Sequence, residues 1–158
     1  MRLAESMTPR VIIRDVAESD LPVLFAQQND PPANAMAAFP AKELEPFMAH
    51  WRGMMKDPNG SKKTIAADGK VLGNVLCFRR GGRDLIGYWI GREYWGQGIA
   101  TRALAMFLQQ VTTRPLFALV ATHNIGSAKV LTKCGFRLVE TLQPEKEGDV
   151  ADWLFTID

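Results

Sequence analysis

Hydrophobic and polar positions along the chain switch between two periods, and the switches mark out its elements. After residues 1–9, which read as a loose tail, Val11-Ile12-Ile13 is a short β-branched run that predicts a first strand. Ser19-Asp20 offers an N-cap ahead of Leu21-Pro22-Val23-Leu24-Phe25, where a helix with proline in its first turn is expected. Residues 29–40 are rich in proline and alanine and read as irregular. Over residues 41–56 the apolar positions Leu44, Phe47, Met48, Trp51, Met54 and Met55 recur at helical spacing, predicting an amphipathic helix with His50 beside its stripe. The period then falls to two. Asp68-Gly69 separates residues 63–67 from 70–78, and Gly81-Gly82 separates that run from 84–90, so three antiparallel strands joined by hairpins are expected.

Helical spacing returns over residues 98–112, with Ile99, Ala100, Ala103, Leu104, Phe107, Leu108 and Val111 on one face, and Arg114-Pro115 ends it. Residues 116–122 are an apolar run fit for a central strand. A helix crosses between it and 84–90, so the two strands should lie parallel. A third helical pattern starts at Asn124, and residues 137–142 and 151–157 alternate as a closing pair with Trp153, Phe155 and Ile157 on one face. The expectation is an α+β, three-layer fold in which helices flank a mixed, mostly antiparallel central sheet. A chain of 158 residues fits a single domain over 1–158.

Composition narrows the class. With 47% hydrophobic and 23% charged residues, disordered and fibrous classes are excluded. The first ten residues lack a signal peptide's apolar run, and residues 115–121 are too short to span a bilayer, so a cytoplasmic protein without membrane contact is expected. Cys77 and Cys134 have no metal-ligand spacing to each other or to His50 and His123, which reads as two free thiols and no metal. A net charge of +2 is too small, and its arginines too scattered, to point to nucleic acid. Its distribution says more. Residues 94–139 hold Arg102, Arg114, Lys129, Lys133 and Arg137 with no carboxylate, leaving the remainder at −3. Such a local positive field suits a ligand with several phosphates, although five solvated surface charges would look the same.

The chemistry concentrates in Tyr88-Trp89-Ile90-Gly91-Arg92-Glu93-Tyr94-Trp95-Gly96-Gln97-Gly98-Ile99-Ala100-Thr101, a strand, a glycine turn and a helix start. Gly96 and Gly98 permit positive φ and leave no Cβ above the backbone, so successive N–H groups and the helix dipole can meet one anion. A Walker A loop is excluded because Gln97-Gly98 stands where Lys and Ser/Thr are needed. A dinucleotide fingerprint fails too, since Thr101 takes the third glycine position and no acidic residue follows about twenty residues on. What remains, Trp95-Gly96-Gln97-Gly98-Ile99-Ala100, resembles the Q/R-x-x-G-x-G/A pyrophosphate motif of the GNAT superfamily of acyl-CoA N-acyltransferases. Trp95 departs from the motif at its first position, which in the family acts largely through the backbone. The run Glu93-Tyr94-Trp95-Gly96-Gln97-Gly98 is similar to the RimJ/RimL-like branch. A second block, Asn124-Ile125-Gly126-Ser127 through Gly135-Phe136, looks like the family's Asn-led helix ending in Gly-Phe, at the family's usual interval.

The resemblance implies a sheet splayed between its two parallel strands, admitting the pantetheine arm of acetyl-CoA as a cosubstrate. Backbone groups of Trp89 and Ile90 would pair with that arm, while Trp95, Gly96, Gln97, Gly98, Ile99, Ala100, Thr101, Asn124 and Ser127 would complete the cofactor contacts. Transfer to a primary amine, protein N-terminal or small-molecule, would follow by direct attack in a ternary complex. The Ile90 N–H is the implied oxyanion donor. Ser127 is the implied donor to the leaving sulfur, because Leu131 stands where many relatives carry a tyrosine acid. Plainer roles exist: Ser127 as a first-turn serine, and Asn124 as the helix N-cap. Glu93 and Asp84 are the carboxylates nearest the strand in sequence, and both read as surface groups. The alternative function is a CoA-binding module that no longer catalyses, serving regulation or assembly. Residues 29–57, which would overhang the acceptor, carry no legible motif, and the oligomeric state is open, with a homodimer as one form.

Overall fold

Two hairpins fix the register of the first half of the sheet. Both residues of each turn have positive φ, Asp68 (51°) with Gly69 (75°) and Gly81 (59°) with Gly82 (76°), the twist that matches antiparallel strands. The computed structural model describes residues 10–158 except Asn59, so the tail expected over 1–9 lies outside the described residues. Among the described residues the strands are β1 (Ile12–Asp15), β2 (Lys62–Ala67), β3 (Lys70–Arg80), β4 (Arg83–Ile90), β5 (Leu116–Ala121), β6 (Arg137–Leu142) and β7 (Asp152–Ile157), in one sheet ordered β1-β2-β3-β4-β5-β7-β6. Every neighbouring pair is antiparallel except β4 with β5. The helices are α1 (Leu21–Gln27), α2 (Pro31–Ala37), α3 (Leu44–Lys56), α4 (Ile99–Gln110) and α5 (Ile125–Lys133).

Strand alternation sorts these helices into layers. Val75 joins a core with Ile86, Ile90, Phe107, Leu116, Leu131 and Phe155, which belongs to α4 and α5. Its neighbour Leu76 packs instead on Leu21, Leu24, Phe47 and Trp51, which belong to α1 and α3. Consecutive strand residues point to opposite faces, so the sheet is sandwiched as the alternating pattern predicts.

Two local expectations are corrected. Asp20 was expected to cap α1, yet its side chain makes no cap bond. Only 3% exposed, it accepts a two-pronged bond from Arg14 (2.7 and 2.9 Å), one from the Ala17 N–H (2.8 Å) and one from Thr64 Oγ1 (2.8 Å). A charged fork is a stronger partner than a helix-end amide. The Arg14 guanidinium holds the Asp20 carboxyl down to about 2, tying β1 and β2 to the turn before α1. The second correction is α2, which falls within the segment expected to be irregular. Pro31 and Pro32 occupy its first turn, where no N–H is needed, and alanine favours the helix that follows. Asn34 Nδ2 donates to the carbonyls of Gln28 and Phe39, both at 2.9 Å, and ties down both flanks. The following helix, α3, starts at Leu44 rather than at residue 41, with Glu43 extended as its N-cap.

The sheet opens at its centre. Between β3 and β4 the register runs unbroken from Arg80↔Arg83 to Gly73↔Ile90, whereas β4 and β5 share only Leu85↔Phe117. Beyond that pair the parallel strands diverge toward Ile90 and Ala121.

Candidate active site

The divergence leaves backbone groups of β4 without a strand partner. The Gly91 N–H donates to Leu72 O at 2.8 Å, so by antiparallel alternation the N–H and C=O of Ile90 face away from β3, toward the opening. The Ile90 carbonyl is taken by Trp95 Nε1 at 2.9 Å, which leaves its N–H directed into the cleft. The Trp95 indole thus ties the turn to the end of β4, a contact within the chain that the motif did not announce. Trp89 departs from the expectation: by the same alternation its backbone N–H and C=O turn toward Asn74 of β3 rather than toward a cofactor arm, and its side chain lies on the opposite face, where Nε1 donates to Gln27 O (2.9 Å) and Phe39 meets the ring edge-on at 5.8 Å.

Below the cleft the chain makes the expected glycine turn. Gly96 (76°) and Gly98 (74°) both have positive φ, and Gly98 is the N-cap of α4 with no side chain over the first-turn N–H groups. The turn, the cleft and the first turn of α5 enclose one cavity of about 480 Å³, with α2 supplying Ala33, Met36 and Ala37 as a third wall. His123 Nε2 lies 2.9 Å from Ala35 O and joins α2 to the loop that follows β5. The cavity brings together Trp89, Ile90, Trp95, Gly96, Gly98, Ile99, Ala100, Thr101, Asn124 and Ser127 from the expected set. Gln97 is not on the cavity wall; its carbonyl accepts from Arg102 Nη2 at 3.1 Å. Of the five cations, Lys129 and Lys133 line the cavity, Arg137 pairs with Asp158 (3.2 Å), and Arg114 folds onto the carbonyls of Val111 and Thr113 (2.9 and 2.7 Å).

On α5, Asn124 accepts from the Ser127 N–H at 3.2 Å and is the N-cap, while Leu131 is fully buried in the core. Ser127 has a partner that sequence reasoning missed. Tyr88 Oη lies 2.5 Å from Ser127 Oγ and 3.2 Å from Ser127 O, across the cavity wall from β4 to α5. Burial pushes the Tyr88 phenol up to about 12, although the bond to Ser127 works in the opposite direction. Strand alternation held the only hint: Tyr88 lies two residues from Ile90 and shares its face.

No carboxylate among the described residues lines this cavity. Asp84 pairs with Arg79 at 3.1 Å at the start of β4, far from Ile90, and Glu93 is exposed beside the turn. His50 lies outside the cavity, its pKa lowered by burial and by Lys42. Cys77 and Cys134 form no disulfide, and burial pushes both thiols up. Among the described residues no group of three His, Cys, Asp or Glu could hold a metal, and no helix is long and apolar enough to cross a membrane.

Comparison with known proteins converges on one family. The model of the acetyltransferase (GNAT) domain matches residues 10–137. No curated protein matches the sequence. Among solved structures, a phosphinothricin acetyltransferase of the GNAT superfamily from Sinorhizobium meliloti, in complex with acetyl-CoA, superposes with a TM-score of 0.81 at 18% identity, covering 96% of this chain and 88% of that one. The spermidine N-acetyltransferase of Vibrio cholerae, with CoA and spermine, gives 0.80 at 14% identity over 94% and 95%. RimL, a ribosomal-protein α-N-acetyltransferase in complex with CoA, gives 0.78 at 18% identity over 93% of each chain. At such identities the likeness is one of fold.

Proposed function

The chain belongs to the GNAT acetyltransferase family, whose domain model matches residues 10–137, and from that premise we propose that it transfers the acetyl group of acetyl-CoA to a primary amine by direct attack in a ternary complex. The observation that carries this reading is the opening between β4 and β5, where the unpartnered Ile90 N–H and the Ser127 hydroxyl border a cavity continuous with the Gly96–Gly98 turn. In this reading the pyrophosphate sits on the N–H groups of the turn and of α4, with Lys129 and Lys133 adding charge. Pantetheine follows the open edge of β4 as an added strand. The Ile90 N–H then meets the oxygen on which charge develops, a role worth about 3 kcal/mol when preorganised. Ser127 donates to the sulfur.

Attack requires a neutral amine, and the described residues offer no carboxylate at the cavity to take its proton. An α-amine, with a pKa of about 8, needs less help than a lysine amine at about 10.4, and solvent can take the proton. Among the described residues the cavity wall also has no carboxylate to hold a second ammonium group, which supports a single-amine acceptor over a polyamine.

The test is release of free CoA thiol from acetyl-CoA in the presence of an N-terminal tetrapeptide, an amino-acid panel or spermine, with mass spectrometry of the product. Thiol release with a peptide or amino acid, exceeding that with spermine, is expected. Tight CoA binding with no release above hydrolysis for any amine would instead establish a CoA-binding module without catalysis.

A further inference from the structure

Ser127 can assist the sulfur only if its single hydroxyl hydrogen points into the cleft. A serine hydroxyl rotates, and its hydrogen goes to whichever acceptor is nearest. The nearest polar atom here is Tyr88 Oη, at 2.5 Å. Two arrangements satisfy this pair. If the phenol gives its hydrogen to the Ser127 carbonyl, the serine hydroxyl is free to donate back to the phenol and is lost to the substrate. If the phenol donates to Ser127 Oγ, the serine hydrogen is left to point elsewhere, and the open direction is the cavity that both residues line.

The geometry favours the second arrangement. The carbonyl is the more distant acceptor, at 3.2 Å, and within α5 (Ile125–Lys133) it is already the acceptor for the amide four residues on. We propose that Tyr88 is a positioning residue, whose phenol donates to Ser127 Oγ and so turns the serine's hydrogen toward the place of the thioester sulfur. The inference rests on the proposed acetyl transfer and goes beyond it by naming what sets the serine. The phenol stays protonated throughout. Burial places it at about 12, well above an alkyl thiol at about 8.5, so it does not surrender its proton to a departing thiolate. Amine nitrogen bonds to the carbonyl carbon, and the C–S bond breaks with its electron pair left on sulfur. The nitrogen loses one proton to solvent, and solvent later protonates the thiolate.

A donor held against sulfur must favour thiolate over thiol, which gives a readout independent of the acceptor. The thiol of CoA bound to the protein is titrated by its thiolate ultraviolet absorbance in the unaltered protein, Tyr88→Phe, Ser127→Ala and the double variant. In the unaltered complex the thiol should titrate about one unit below free CoA, since a hydrogen bond to the charged form lowers a pKa. Tyr88→Phe keeps the ring and should return most of that shift, Ser127→Ala all of it, and the double variant no more than Ser127→Ala. CoA affinity and the ligand-free melting temperature, recorded for each variant, separate this from a loosened fold. If Ser127→Ala returns the shift and Tyr88→Phe leaves it in place, the role given to Tyr88 is wrong while the serine reading stands. If the bound thiol of the unaltered protein titrates like free CoA, the serine reading fails and the Tyr88 proposal with it. Failure to bind CoA at all would overturn the acetyl-transfer reading beneath both.

Discussion

Gly98 separates charge from shape at the scale of one residue. Its φ of 74° is one that side chains rarely adopt, but a Cβ built on it meets nothing within 4 Å, so substitution strains the backbone without a collision. Asn and Asp are the residues best able to tolerate that conformation, and they differ from each other by one charge. Gly98→Asn and Gly98→Asp should therefore lose similar stability, about 1 kcal/mol, while only Asp sets a negative charge where the proposed pyrophosphate sits. By isothermal calorimetry Asn should weaken acetyl-CoA binding several-fold and Asp by at least about ten times more. The gap should narrow in high salt, because screening shortens the reach of the repulsion. Equal affinities for the two variants would remove the phosphate from this turn. Arg102, in the first turn of α4, braces the same turn by donating from Nη2 to the Gln97 carbonyl at 3.1 Å.

Among the elements, β4 decides the site, and β3 decides where β4 runs. A Cβ on Gly73 would lie 2.0 Å from Trp89 O and 3.0 Å from Ile90 Cα, with no positive φ to explain the glycine. The reason is close approach of two backbones at the point where β4 leaves β5. Gly73→Ala must push the end of β4 aside, which should cost about 1–3 kcal/mol and weaken acetyl-CoA binding together with stability. Gly53→Ala is the contrasting change: exposed within α3 and meeting nothing within 4 Å, it should stabilise by about 0.5–1 kcal/mol and leave binding alone. Thermal melts with and without acetyl-CoA read both, and a Gly73→Ala protein that melts and binds like the unaltered one would show that β4 has room to spare. Elements of this kind were legible where turn chemistry and periodicity agree, as in the two hairpins, α4 and the Asn124 cap of α5. They were not legible where composition spoke for loops, since Pro31-Pro32 and the alanines of α2 carry no apolar stripe. Nor was the Tyr88–Ser127 contact, because 39 residues and a strand crossing separate its partners, and no local pattern encodes a meeting of that kind. The splay itself followed from the family resemblance, while hydropathy showed only that two strands would lie parallel.

At the scale of the molecule, the sheet is two ladders that meet at one registered pair. One ladder runs from β1 through β4, the other is β5-β7-β6, and Leu85↔Phe117 joins them. What otherwise unites them is the core under α4 and α5, where Leu104 and Phe107 pack in one cluster with Val75 and Ile86 on one side and Leu116 and Phe155 on the other. Packing of that kind needs no ligand, whereas backbone groups such as the Ile90 N–H at the gap between β4 and β5 lack a strand partner. Acetyl-CoA bound as proposed would supply backbone partners across that gap, so it should stabilise the whole chain and most strongly its centre. At a hundred times its dissociation constant the ligand adds about 2.7 kcal/mol, which for a chain of this size raises the melting temperature by roughly 5–10 °C. Hydrogen exchange resolves where that stability goes. The amides of Ile90 and Ala121 should gain protection beyond the global increment, because in the free protein they face the gap without a strand partner. The β1–β2 pair, at the far edge of the sheet, should show the global increment and no more. Gly98→Asp, mixed with the same ligand, should lose both effects together. A melting temperature that rises while exchange at Ile90 stays as fast as in the free protein would place the ligand somewhere other than between β4 and β5.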